Sequence, residues 1–123
     1  MFLWKHTGEN NEMIYRAHLI LEELAEMCIG LSDGDEHQAA DGIGDLLYVV
    51  VGSGVAFKLP CHELSEEVCS SNATKQPRTA ANYRLRDKGK NYVPPDFEKA
   101  LRIGKERIEE DYLSVEKMNV FNN

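Results

Sequence analysis

The sequence predicts an all-α protein folded as an antiparallel helical bundle. Two stretches of about twenty residues carry apolar side chains at spacings of three and four, the signature of a helix with one buried face. Glycine and proline punctuate the chain between the periodic stretches and leave mostly short connections. A length of 123 residues and a mass of 13.9 kDa allow one domain, 1–123, with a modest core.

A first helix is expected from about Asn11 to Ile29. Met13, Ile14, Ala17, Ile20, Leu21, Leu24, Met27 and Cys28 set its period. Asn10 or Asn11 would cap it, Gly30 would end it, and Leu31 to Asp35 reads as a loop. The second element runs from about Glu36 to Phe57. Its Leu46 to Val51 run has strand propensity, but a periodic stretch of that length is normal for a buried helix, and only Gly52 and Gly54 weaken the reading. Pro60 opens a third helix, about Cys61 to Ser71. Residues 73–96 hold Pro77, Gly89, Pro94 and Pro95 with little periodicity, so they read as a basic loop of functional length. A last helix spans about Asp96 to Tyr112, and the tail 114–123 is expected to fray or to serve assembly.

Composition excludes several classes. Charged residues at 28% and apolar ones at 42% fit a soluble globular chain rather than a disordered one. A formal charge of −7 disfavours a nucleic-acid binder that works through phosphate contacts. The longest wholly apolar run, Leu46 to Val51, is far short of a membrane span. MFLWKH has no secretory apolar stretch, so the protein is expected in the cytoplasm with Cys28, Cys61 and Cys69 reduced. Phe2 and Trp4 would pack on a partner subunit. Cys61, His62 and Cys69 lack a fourth zinc ligand, and Asn72-Ala-Thr74 is a glycosylation sequon without a secretory context.

Charge is divided along the chain. Residues 1–60 hold ten acidic and three basic side chains, whereas residues 75–90 hold six basic residues and one acidic. The plain reading is two solvated surfaces that attract each other. The sharper one is a cation site followed by an anion site, the pair that a metal–triphosphate complex needs.

Glu22, Glu23 and Glu26 fall within about a 100° arc of the first helix, across from Leu21, Leu24, Ala17 and Met13. On that helix alone the favoured reading is an exposed acidic face. Asp41 and Asp45 share a face of the second helix. Asp45 precedes an apolar run directly, where an ionised carboxylate needs a basic partner, a backbone donor or a cation. Five oxygen donors from two helices suit hard cations, Mg²⁺ or Mn²⁺. A di-iron centre is disfavoured because His37 and His62 lack Glu-x-x-His spacing.

These residues resemble a known family. Glu22-Glu23-Leu-Ala-Glu26 is similar to the EExxE motif of the MazG-like all-α nucleoside triphosphate pyrophosphohydrolases. That superfamily includes dimeric dUTPases and phosphoribosyl-ATP pyrophosphohydrolase. Asp41-Gly-Ile-Gly-Asp45 resembles its ExxD motif, except that Gly42 stands three before Asp45 and the carboxylate is Asp41. Glu67-Val-Cys-Ser-Ser-Asn72-Ala-Thr-Lys75 resembles the E-V-x-x-S-N-x-x-K segment of phage and bacterial members. Asp87-Lys-Gly-Lys-Asn-Tyr92-Val-Pro-Pro-Asp96 resembles their K-G-x-x-Y-x-P-P-D segment.

The resemblance implies a dimer or tetramer that hydrolyses a nucleoside triphosphate to monophosphate and pyrophosphate. It implies Glu22, Glu23, Glu26, Asp41 and Asp45 as ligands of Mg²⁺ or Mn²⁺, with Glu22 and Glu23 catalytic. Asn72, Lys75, Lys88, Lys90 and Tyr92 would bind substrate. The ordinary readings of these five are a helix C-cap, packing beside Pro94 and solubility. The short single-domain form is most similar to the phage-encoded branch, which suggests dGTP or GTP as substrate and the host cytoplasm as location. The alternatives are a broad or pyrimidine-directed (dCTP or dUTP) enzyme, a nucleotide sensor without turnover, and a non-enzymatic acidic helical interaction module.

Overall fold

The computed structural model describes residues 10–79 and 86–121. Among them the chain forms four α-helices and no strand: α1 (Asn10–Asp33), α2 (Glu36–Phe57), α3 (Cys61–Ala73) and α4 (Phe97–Phe121). The all-α expectation is met. The chain divides into two compact units, Met1–Phe57 with α1 and α2, and Lys58–Asn123 with α3 and α4. The expected packing of Phe2 and Trp4 lies outside the described residues.

The turn between α1 and α2 corrects one boundary. Helix α1 continues through Gly30 to Asp33, and Gly34, at φ +69°, takes the left-handed position that ends it. The Asp35 N–H then reaches back to the Gly30 carbonyl at 2.9 Å, closing the helix end. Asp35 also starts α2: its Oδ1 accepts from the Gln38 N–H at 3.0 Å. Gly30 has a different duty. A Cβ there would lie 2.4 Å from the Ala39 nitrogen, so this glycine lets α1 and α2 touch backbone to backbone.

Helix α2 has the predicted limits. Its longest unbroken apolar run is short, yet the helix as a whole is long and apolar enough to cross a membrane by length and composition. The run length alone misses this. Asp41 and Asp45 occupy its first half, and its contact with α1 accounts for the buried Ala39 and Gly42.

Pro60 caps α3 and is fully buried. It sits against Gly104 of α4, where a Cβ would come within 2.1 Å of the Pro60 Cβ. Asp96 caps α4 rather than beginning it: its Oδ1 accepts from the Lys99 N–H at 3.0 Å. Its own N–H donates to Glu67 Oε1 at 2.8 Å, tying the helix start to α3. Helix α4 continues to Phe121, so residues 114–121 are helical instead of frayed. All three cysteines are free thiols.

Glu63 of α3 and Arg107 of α4 form a forked ion pair through both carboxylate oxygens. The Arg107 hydrogen bonds, acting against partial burial, pull the Glu63 carboxyl down to about 2. A carboxyl lowered from 4.5 favours the folded state above pH 4.5, and that contribution is lost as pH falls toward 2. Glu63→Gln is therefore expected to melt below the wild type at pH 7 and to match it near pH 2. Thermal melts across that range check the convergence; a constant offset would contradict it.

Candidate active site

The face of α1 that meets α2 is set by close approach rather than by the widest apolar stripe. Gly30 abuts Ala39, Gly42 abuts Met27, and Arg16 reaches Gly52. The partly buried positions Met13, Arg16, Leu19, Ile20, Glu23, Glu26 and Met27 recur at threes and fours along this face. Two of them are carboxylates. Glu22 is exposed, while Glu23 and Glu26, which look solvent-directed in sequence, lie on the face turned to α2. The stripe across from it stands open, with Leu21 62% and Leu24 38% exposed.

Glu23 is the focus of this unit. Its Oε2 is sealed from solvent and has no hydrogen-bond partner. Burial raises its carboxyl above the ordinary range, and the charges of Asp45, Glu26, Glu22 and Asp41 raise it further, in that order. All five predicted carboxylates therefore lie within charge-coupling range of one atom group. They do not form a closed cage: among the described residues no three His, Cys, Asp or Glu groups stand close enough to hold a metal ion. Like-charged carboxylates repel one another, so contraction around a shared centre requires a cation. The donor set is all oxygen and includes one buried, unpartnered acceptor, which fits a hard divalent ion.

The motif departure at Gly42 has a steric reason. A Cβ at this position would lie 2.6 Å from the Met27 backbone nitrogen and Cα. No side chain fits there while the helices keep this spacing. The second carboxylate of α2 stands instead at Asp41, one residue earlier; Asp41 and Asp45 are both exposed, so Asp45 does not have the buried setting that its place before the apolar run predicts.

The predicted substrate residues gather in the other unit. The C-terminal end of α3 and the strip 86–93 lie side by side. Ser71 Oγ donates to the Val93 carbonyl at 2.7 Å, and the Val93 N–H donates to Thr74 Oγ1 at 2.8 Å. The Gln76 N–H donates to the Asp87 carbonyl at 2.9 Å. Asn72 and Lys75 stand on one side of this seam, Lys88, Lys90 and Tyr92 on the other. Lys88 Nζ lies over the Tyr92 ring, 5.0 Å from its centroid, a cation–π contact. Gly89 leaves room at this seam for the Gln76 side chain, whose Nε2 a Cβ would meet at 2.0 Å. The Asn72 carbonyl accepts from the Lys75 N–H at 3.2 Å, so its backbone helps to finish α3 while its side chain is exposed.

Sequence reasoning passed over Ser71, Thr74 and Arg86, which build this seam. Ser71 is buried at 5% exposure with its hydroxyl satisfied. A serine beside a predicted asparagine ligand gives no sequence signal that its partner lies twenty-two residues on. A cleft between α3 and α4, lined by Glu63, Glu66, Glu67 and Lys99 among others, contains none of the predicted site residues.

A family model described as phosphoribosyl-ATP pyrophosphohydrolase matches residues 3–72. No curated protein and no solved structure matches the chain.

Proposed function

The chain belongs to the phosphoribosyl-ATP pyrophosphohydrolase family and is thus a nucleotide pyrophosphohydrolase, and from that premise we propose that it cleaves a purine nucleoside triphosphate, dGTP or GTP by preference, to monophosphate and pyrophosphate. The observation that carries the hydrolytic site is the buried, unpartnered Glu23 oxygen among four further carboxylates.

Glu22, Glu23, Glu26, Asp41 and Asp45 would hold Mg²⁺ or Mn²⁺, with Asp41, whose charge acts least on Glu23, at the margin of the set. A divalent ion supplies neutralisation of phosphate charge and a lowered pKa for water. Glu22, exposed beside Glu23, accepts the proton of the water that attacks the α-phosphorus. The bond from the α-phosphorus to the bridging oxygen breaks, and pyrophosphate leaves. Lys75, Lys88 and Lys90 would bind phosphate oxygens as mobile point charges. Asn72 donates to phosphate or base, and the Tyr92 ring steadies Lys88 and meets the base or sugar.

The matched residues end at 72, before the lysines and Tyr92. The match therefore speaks to the hydrolytic half and not to the nucleotide-reading half. The guanine preference rests on the likeness of the S-N-x-x-K and Y-x-P-P-D segments to phage-type single-domain members. A second reading, phosphoribosyl-ATP as substrate, is favoured by the description of the matching family itself. Homodimer or homotetramer assembly is supported by the open apolar residues of α1 and α2, among them Leu21, Leu47, Tyr48 and Val55, each more than 60% exposed.

The test is pyrophosphate release from the eight common ribo- and deoxyribonucleoside triphosphates and from phosphoribosyl-ATP, with Mg²⁺, Mn²⁺ or chelator. Metal-dependent release, strongest with dGTP and GTP, is expected. Release from phosphoribosyl-ATP or a pyrimidine nucleotide alone would overturn the base preference and keep the chemistry. Light scattering on the same sample should give two or four times 13.9 kDa; a monomer would overturn the assembly.

A further inference from the structure

Arg86 lies beside the proposed phosphate-binding lysines and is not one of them. Its guanidinium donates from Nε to the Gln76 carbonyl and from Nη2 to the Lys75 carbonyl, each at 2.8 Å. A planar fork spans two neighbouring carbonyls in a way that a single ammonium does not. Next to it the Gln76 N–H bonds the Asp87 carbonyl. Together these contacts fasten the start of the strip 86–93 to the end of α3. Ser71 and Thr74 fasten its other end through Val93. Between the two fastenings stand Lys88, Lys90 and Tyr92, opposite Lys75.

We propose that Arg86 is a positioning residue for substrate binding: its fork across the Lys75 and Gln76 carbonyls fixes the spacing of Lys75 and Lys88 that receives the polyphosphate. The inference rests on the triphosphate reading above and adds to it the part that sets the lysine spacing. Phosphate groups already carry their charge before reaction, so a residue acting through these lysines strengthens ground state and transition state together. Its loss raises KM and leaves kcat nearly unchanged.

Three measurements on the full chain test this. In amide hydrogen exchange, Arg86→Ala is expected to lower protection of the Gln76 N–H at least tenfold and to spare the Val93 N–H. Unchanged protection at Gln76 would overturn the strap, whatever the enzyme does. In kinetics, Arg86→Ala should raise KM about tenfold with kcat within threefold, and Arg86→Lys, which restores one carbonyl contact, should recover part of the loss. Combined with Lys88→Ala, Arg86→Ala should add little, because it acts through that lysine. Full additivity, or a loss confined to kcat, would overturn the positioning role. Absence of turnover by the wild type would overturn the triphosphate reading instead. Titration with inorganic pyrophosphate then decides the strap's role: weaker binding by Arg86→Ala supports it, and equal binding overturns it.

Discussion

Glu23→Gln is expected to cut pyrophosphate release by about 10³-fold or more while leaving the fold at least as stable as the wild type at pH 7 without divalent metal. The activity loss follows from removing the one carboxylate that is both partly buried and surrounded by the others. Several kcal/mol of charge stabilisation converge on such a group, which is on the order of a thousandfold in rate. The stability gain follows from the sign of the titration. Burial and then the charges of Asp45, Glu26, Glu22 and Asp41 raise the Glu23 carboxyl above 4.5. The folded chain binds that proton more tightly than the unfolded chain does. Its contribution is therefore most favourable below pH 4.5 and is lost as pH rises through the folded value. Gln carries no charge at any pH, so the variant should melt above the wild type at pH 7, and the gap should close below pH 4.5. Added Mg²⁺ should raise the wild-type melting temperature and leave the variant's nearly fixed. A variant that melts well below the wild type at pH 7 without metal would show that Glu23 is paired, and would remove the basis of the site.

The same residue shows where sequence reasoning reaches and where it stops. Helix α2 is legible because its period, the loop residues before it and Pro60 beyond it agree on one element. The five carboxylates are legible as a group because helical spacing alone places three on one arc and two on another. Which way α1 turns them is not legible from hydropathy. Leu21 and Leu24 form the broader apolar stripe, yet Gly30 and Gly42 permit backbone contact on the other side, and that contact turns Glu23 and Glu26 toward α2. The glycines carry this information through what they lack, and an amphipathic pattern does not register it. The seam that holds the lysines is hidden for a second reason. Ser71 to Val93 and Arg86 to Lys75 are bonds between residues eleven to twenty-two apart in a segment without period. Local propensity has no bearing on such pairs.

The glycines of α2 give the sharpest structural test, because two of them stand two residues apart in one helix with opposite surroundings. Around Gly44 a Cβ meets nothing within 4 Å, whereas at Gly42 it would meet the Met27 backbone at 2.6 Å. Alanine is the better helix former at both sites by roughly 0.5–1 kcal/mol. At Gly44 nothing opposes that preference, so Gly44→Ala is expected to stabilise the protein by about that amount. At Gly42 the methyl group meets main chain, which does not rotate aside. The helices must separate, and overpacking of this kind costs about 1–3 kcal/mol. Set against the propensity gain this leaves a net cost of up to about 2 kcal/mol, so Gly42→Ala should lower the melting temperature by roughly 2–10 °C. It should also weaken catalysis, since any widening between α1 and α2 draws Asp41 and Asp45 away from Glu23. The pair separates helix propensity from helix contact within a single element. If Gly42→Ala were as stable as Gly44→Ala, α1 and α2 would not approach as closely as the structure has them, and the steric account of the missing ExxD glutamate would fall with that contact.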